Sequence, residues 1–246
     1  MTLYAAWAKN NAAEATSDNY FNFEESSDNY GNPYYKLSVK DPARLSGEII
    51  LPSSYNGFPV RELEQGAFSY SEITSVFIPS TYTLKISRAF SGCGKLVSAT
   101  FEENNLRDNL DVRTFFNCDK LESVVLPDHV VTLDEECFSG CLLLDNVILP
   151  SSVKIINERA FLNCKSLRSV AIPDSVQYVY AEAYSACSSL STFDVGKNSA
   201  LQDISSSALN GTQITKLTLP ASLENKITLE NTSIAIEYFS REAQTE

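Results

Sequence analysis

The chain has 246 residues, a formal net charge of −12, 43% hydrophobic residues and 20% charged residues, the balance of a folded chain rather than a disordered one. A surplus of carboxylates excludes the Lys/Arg footprint that phosphate binding needs, so nucleic acid is not an expected partner. The same surplus favours a monomer and basic partner segments.

No apolar run reaches the ~18 residues of a membrane-spanning helix, so membrane insertion is not expected. The first 20 residues lack the charged and apolar regions of a signal peptide.

Residues 1–18 read as a tail or linker, small and polar over 10–18. Residues 19–24 and 34–39 are rich in Tyr, Phe and Val and flank a Ser/Asp/Asn/Gly turn over 26–31, which predicts a β-hairpin. Residues 47–51 then lead into Pro52 as a strand. The unit 19–60 is therefore expected to be an N-terminal hairpin cap with a lead-in strand, covering an edge that would otherwise expose unpaired backbone.

From 61 to 229 one pattern recurs. Leu121, Val124, Leu126, Pro127, Val130, Leu133, Phe138 and Cys141 are followed 23 residues later by Leu144, Val147, Leu149, Pro150, Val153, Ile156, Phe161 and Cys164. The next copy is Leu167, Val170, Ile172, Pro173, Val176, Val179, Tyr184 and Cys187. A fixed period of this length signals a solenoid, in which each unit buries its apolar face against its neighbours. The expected architecture is a curved, right-handed array of about seven such units, mainly β with short helical or 3-10 turns.

Each unit can be read locally. The alternating Leu-x-x-Val-x-Leu end predicts a strand with one buried face. Proline after it cannot donate to a sheet and ends the strand. The Val-x-x-Ile/Leu segment returns along the opposite side, and Ala-Phe-x-x-Cys is expected to turn tightly with its Phe in the core. Glu102 and Gly196 replace the proline in two units. Residues 230–246 are expected to supply a closing strand and a polar tail.

Cys93, Cys118, Cys141, Cys164 and Cys187 share one slot, three residues after the aromatic. Buried thiols behaving as small hydrophobes are the preferred reading over a disulfide ladder. Cys137 stands outside the column and is the participant expected in any disulfide that forms. No C-x2-C pair or His cluster is present, so no metal or other cofactor is expected. The single histidine, His129, falls in a turn slot held by Ser152 and Ser175 in neighbouring units, without an oriented partner that would make it a base. No catalytic residue is identified and no enzyme is expected.

Two columns should point outward from the Leu-x-x-Val-x-Leu strands. One runs Phe77, Thr100, Val125, Ile148, Ala171, Asp194, Thr218, and beside it runs Ser75, Ser98, Ser123, Asn146, Ser169, Thr192, Lys216. An apolar stripe through Phe77, Val125, Ile148 and Ala171, flanked by Ser123, Asn146, Ser169 and Asp194, is the candidate protein-contact face. The alternative is that β-branched residues simply favour exposed strand positions.

The slot pattern resembles the BspA-like class of leucine-rich repeat, most closely at 160–167, 89–93 and 138–141, and the segment 50–68 is similar to that family's first repeat. Residues 2–9 resemble the closing strand of the small β-repeat of internalin-type surface proteins, with an ordinary N-terminal strand or a loose tail as the alternative. The resemblance implies a piece of a larger exported protein: a non-enzymatic, secreted or cell-surface adhesion module of a host-associated bacterium. Its implied partner is a protein, such as a host extracellular-matrix component, bound through the strand face. A spacer that holds other domains away from the cell wall, with no ligand of its own, is the alternative function.

Overall fold

The computed structural model describes residues 16–83, 85–103, 108–231 and 233–239. The internalin-like segment 2–9 and the end of the polar tail lie outside the described residues.

The chain opens on an antiparallel hairpin, Phe21–Ser27 against Pro33–Val39. Its turn is held by the Asp28 carboxylate, which accepts the backbone N–H of Tyr30 and of Asn32, each at 2.9 Å. Pro33–Val39 continues in parallel with Phe58–Leu63, and that strand folds back on Ser54–Tyr55. The hairpin is thereby stitched to the first turn of the solenoid rather than laid loosely over it.

Three columns of backbone hydrogen bonds hold the solenoid. On the first face, Ser46–Ile50, Glu72–Ile78, Ser98–Phe101 and Ser123–Val125 form a parallel sheet. Farther on, Ser169–Ile172 pairs with Thr192–Val195 and Lys216–Leu219 with Ala235–Tyr238, all parallel. On the second face, Asn109–Leu110, Thr132–Leu133, Ile155–Ile156, Tyr178–Val179 and Asp203–Ile204 form one continuous parallel sheet. The returning Val-x-x-Ile segments are thus short strands. Among the described residues the stack has about nine turns rather than about seven. Ser46–Ile50 and Ala235–Tyr238 lie in the same parallel stack as the units between them, so the lead-in and closing strands count as turns.

The third column is the Ala-Phe-x-x-Cys edge, which is neither α-helical nor 3-10. Two residues per unit adopt left-handed backbone: Arg88, Arg113, Glu136, Arg159 and Glu182 before the Ala-Phe pair, and Asn117, Asn163 and Ala186 (with Gly92, Gly140 and Gly211) before the Cys slot. That alternation turns every second N–H toward the next unit. In one interface, Arg159, Phe161 and Asn163 donate to the carbonyls of Ala181, Ala183 and Ser185 at 3.0, 2.7 and 2.8 Å. A helix would have spent these donors inside its own unit; here they join neighbours. Side chains reinforce the edge, as Arg113 pairs with Glu136 and Arg159 with Glu182 across successive units.

Aromatic rings fill the interior. Phe68, Phe90, Phe115, Phe138, Phe161 and Tyr184 stack face to face, with centroids 4.9–5.6 Å apart. Phe21 of the hairpin meets Phe68 edge-on at 6.1 Å, and Phe193 meets Tyr184 edge-on at 5.3 Å. Offset and edge-on contacts are the favourable aromatic geometries, so the stack is closed at both ends by rings of the same chain.

The two units without proline have local reasons. The Glu102 carboxylate accepts the backbone N–H of Ser80 at 2.7 Å, tying its unit to the one before. At Gly196 a Cβ would lie 2.3 Å from Asp174 Oδ1, so a larger residue would require the Asp174 carboxylate to turn aside.

Candidate interaction face

On the first face, residues alternate inward and outward as the period of two requires. The structure brings Phe77, Thr100 and Val125 side by side in register, and Ala171 beside Asp194. Ser75, Ser98 and Ser123 likewise line up, as do Ser169 and Thr192. Phe77, Val125 and Ser123 are half-buried, while Asn146, Ile148, Ser169, Ala171 and Asp194 are exposed.

Backbone pairing on this face is interrupted at the 145–149 unit and again between Thr192–Val195 and Lys216–Leu219. The unit between Ser123–Val125 and Ser169–Ile172 contributes no strand to the sheet. Residues 145–149 make no backbone hydrogen bond to either neighbouring unit, although Leu144, Val147 and Leu149 are buried like their equivalents. Apolar burial holds this segment against the core, while its backbone stands away from both flanking strands. The second face pairs Thr132 with Ile155 and Ile155 with Tyr178 across the same units, and the turn edge is bonded throughout. The units therefore fan apart on the first face alone.

The opening leaves two marks. A cavity of about 440 Å³ lies between the separated units, lined by Ser123, Val125, Leu126, Asp128, Asp145 and Ile148 among others. The inward-facing residues around it, Val124, Leu126, Val147 and Leu149, are 7, 7, 6 and 8% exposed, against 0–5% for the other inward residues of the paired strands from Val76 to Leu219. Ile148 itself is 78% exposed, the most of any large aliphatic side chain among the described residues. The lining carries two carboxylates, Asp128 and Asp145, and no cation. A cavity of similar size on the turn edge differs in kind, being lined by Tyr70, Arg88, Arg113 and Phe116, with Arg113 paired to Glu136.

His129 is exposed in a turn. All six cysteines, Cys137 included, are free and buried. Their column is more than apolar filling. The Sγ atoms of Cys93, Cys118, Cys141, Cys164 and Cys187 donate to the carbonyls of Phe68, Phe90, Phe115, Phe138 and Phe161 at 3.0–3.2 Å. Each thiol thus satisfies the aromatic of the preceding unit. Burial pushes the Cys118, Cys137, Cys141 and Cys164 thiols above their ordinary range, which keeps them protonated and unreactive.

At the ends of the column Ser71 and Thr212 occupy the cysteine slot, Thr212 bonding within its own unit rather than to the preceding one. Ser71 Oγ lies 3.4 Å from Cys93 Sγ, and Thr212 donates to Leu209 O at 2.8 Å. Sequence reasoning missed both residues in this slot and the thiol bonds, though the fixed three-residue step from aromatic to Cys was a usable signal. Among the described residues no group of three or more His, Cys, Asp or Glu could hold a metal ion, and no helix is long and apolar enough to cross a membrane.

The comparisons with known proteins agree with this architecture. The chain is similar in fold to the crystal structure of a leucine-rich repeat protein of T. pallidum, with a TM-score of 0.59, 24% identity, and 74% of this chain and 82% of that one covered. It is also similar to a leucine-rich cell surface protein of Faecalibacterium prausnitzii A2-165, with a TM-score of 0.55 and 23% identity over 87% of this chain. Against that second protein the chain spans half of the longer molecule. No curated protein matches the sequence. The model of the BspA-type leucine-rich repeat region matches in six copies over residues 47–109 and 108–233. With that much of its length matched, the chain belongs to the BspA-type leucine-rich repeat family.

Proposed function

We propose that the chain is a non-enzymatic protein-binding module of a secreted or cell-surface bacterial protein, of adhesion type, and that it engages a protein partner through the first face of the solenoid. The family supports a protein-interaction or structural module, and the F. prausnitzii neighbour is described as a cell surface protein. One observation carries the choice of face: Ile148 stands exposed beside half-buried Val125 over an apolar cavity. An exposed aliphatic side chain bordering a cavity is surface that a partner can desolvate, in contrast to scattered single apolar residues.

The test is capture from host matrix and serum by the chain and by its Val125→Glu/Ile148→Glu variant, with circular dichroism confirming that both are folded. A partner held by the parent chain and lost by the variant supports the reading. Equal capture by the two removes this face as the site, and no capture by either favours the spacer.

A further inference from the structure

Resting on that reading of the first face, we infer that the partner segment binds the split by strand addition, as an extended peptide alternating basic and apolar residues. Three independent features of the split specify this chemistry.

The first is backbone. Ser123–Val125 is paired on one edge only, with Ser98–Phe101, and residues 145–149 are paired on neither. Free N–H and C=O groups along a strand edge are matched by another extended backbone, which satisfies them in series as no globular surface or small molecule does. The first face has a second unpaired junction, between Thr192–Val195 and Lys216–Leu219, so the choice of the split at 145–149 rests on the cavity and its carboxylates.

The second is side-chain spacing. The cavity lies at the split and is bordered by Val125 and Ile148. A peptide running along it sends alternate side chains to the same side, roughly 7 Å apart at about 3.3–3.4 Å per residue. Apolar residues at every second position would enter the cavity, while those between face outward beside Val125 and Ile148.

The third is charge. Asp128 and Asp145 line the cavity with no cation among its lining residues, Glu122 is exposed in the unit of Val125, and the whole chain carries −12. Lysine or arginine at the outward positions is complementary to this rim and is steered toward it, whereas an acidic segment is repelled. A partner built on an amphipathic helix would meet the rim but leave the free edges unsatisfied, so the extended form is favoured.

The experiment uses the chain with a labelled peptide of alternating lysine and valine, read by fluorescence anisotropy. Its comparators are a glutamate–valine counterpart and the same lysine–valine peptide N-methylated at alternate amides. Expected results are saturable binding of the lysine–valine peptide, a loss of roughly tenfold or more on N-methylation, and no binding of the glutamate form. Amide exchange should slow at Val124 and over 145–149 when the peptide is present, and Asp128→Asn/Asp145→Asn should weaken binding. Absence of binding, or binding that N-methylation leaves unchanged, overturns strand addition. The N-methyl comparison alters only the ligand, so no folding defect can imitate it. The face itself is judged separately by the paired glutamate variant against a protein partner, so strand addition can fall while the face reading stands.

Discussion

Replacing Phe161 by Ala tests the interior stack where it is most regular. Phe161 is 1% exposed and sits between Phe138 at 5.2 Å and Tyr184 at 4.9 Å, with interplanar angles of 14° and 6°. Truncating a fully buried Phe costs about 3–5 kcal/mol through lost transfer energy and the cavity left behind. Two stacked contacts are lost at once, each worth about 0.5–1.5 kcal/mol beyond its buried area, which places the expected cost in the upper half of that range. The cavity cannot close easily, because the bonded turn edge and second face hold the adjacent units apart at a fixed spacing. Urea unfolding followed by far-ultraviolet circular dichroism reads the change, with His129→Ala as a control expected to stay within about 0.5 kcal/mol. A Phe161→Ala cost below about 1 kcal/mol, or equal effects of the two substitutions, would refute the stacked interior.

The remaining predictions probe other columns. Tyr184 carries a buried hydroxyl with no protein partner, so Tyr184→Phe should raise stability by about 1–3 kcal/mol; a loss in urea unfolding would mean that the hydroxyl is satisfied. Ala186 sits at φ 58, where a side chain is disfavoured by about 1 kcal/mol, so Ala186→Gly should stabilise. Gly140→Ala should destabilise, since its φ is 78 and a Cβ would fall 2.2 Å from Asn117 Oδ1; opposite signs in thermal melts are the expected result. The buried thiols of Cys118, Cys137, Cys141 and Cys164 predict a pH dependence. In the folded chain they stay protonated, whereas in the unfolded chain they ionise near pH 8.5, so above that pH the unfolded state binds fewer protons and is favoured. Stability should be full below about pH 8 and fall toward pH 10, and a urea midpoint unchanged between those values would contradict the burial of the column.

The solenoid was legible because burial writes the same letters at the same places. Leu144, Val147, Leu149 and Phe161 repeat Leu121, Val124, Leu126 and Phe138 because each faces the same neighbour-lined interior. The split at 145–149 was not legible for the same reason. Its inward letters match those of the paired strands, and the pattern reports which side chains are buried, not which backbones are bonded. Left-handed residues escaped notice because Arg, Glu, Asn and Ala share those slots with Gly, so no single letter marks the conformation. Ser71 and Thr212 were hidden because the column was recognised by cysteine itself rather than by a short polar donor placed three residues after the aromatic. Of the candidate face, the alternation identified the outward columns, while the cavity between Val125 and Ile148 arises from the spacing of units, which no residue records.

A hydrogen-exchange footprint of the chain with and without a captured protein partner shows whether the split on the first face is where that partner binds. Slowed exchange is expected at Val124 and over 145–149, with the second face at Thr132–Leu133 and Ile155–Ile156 unchanged. Protection confined to that second face or to the turn edge, with 145–149 unaffected, would contradict binding at the split.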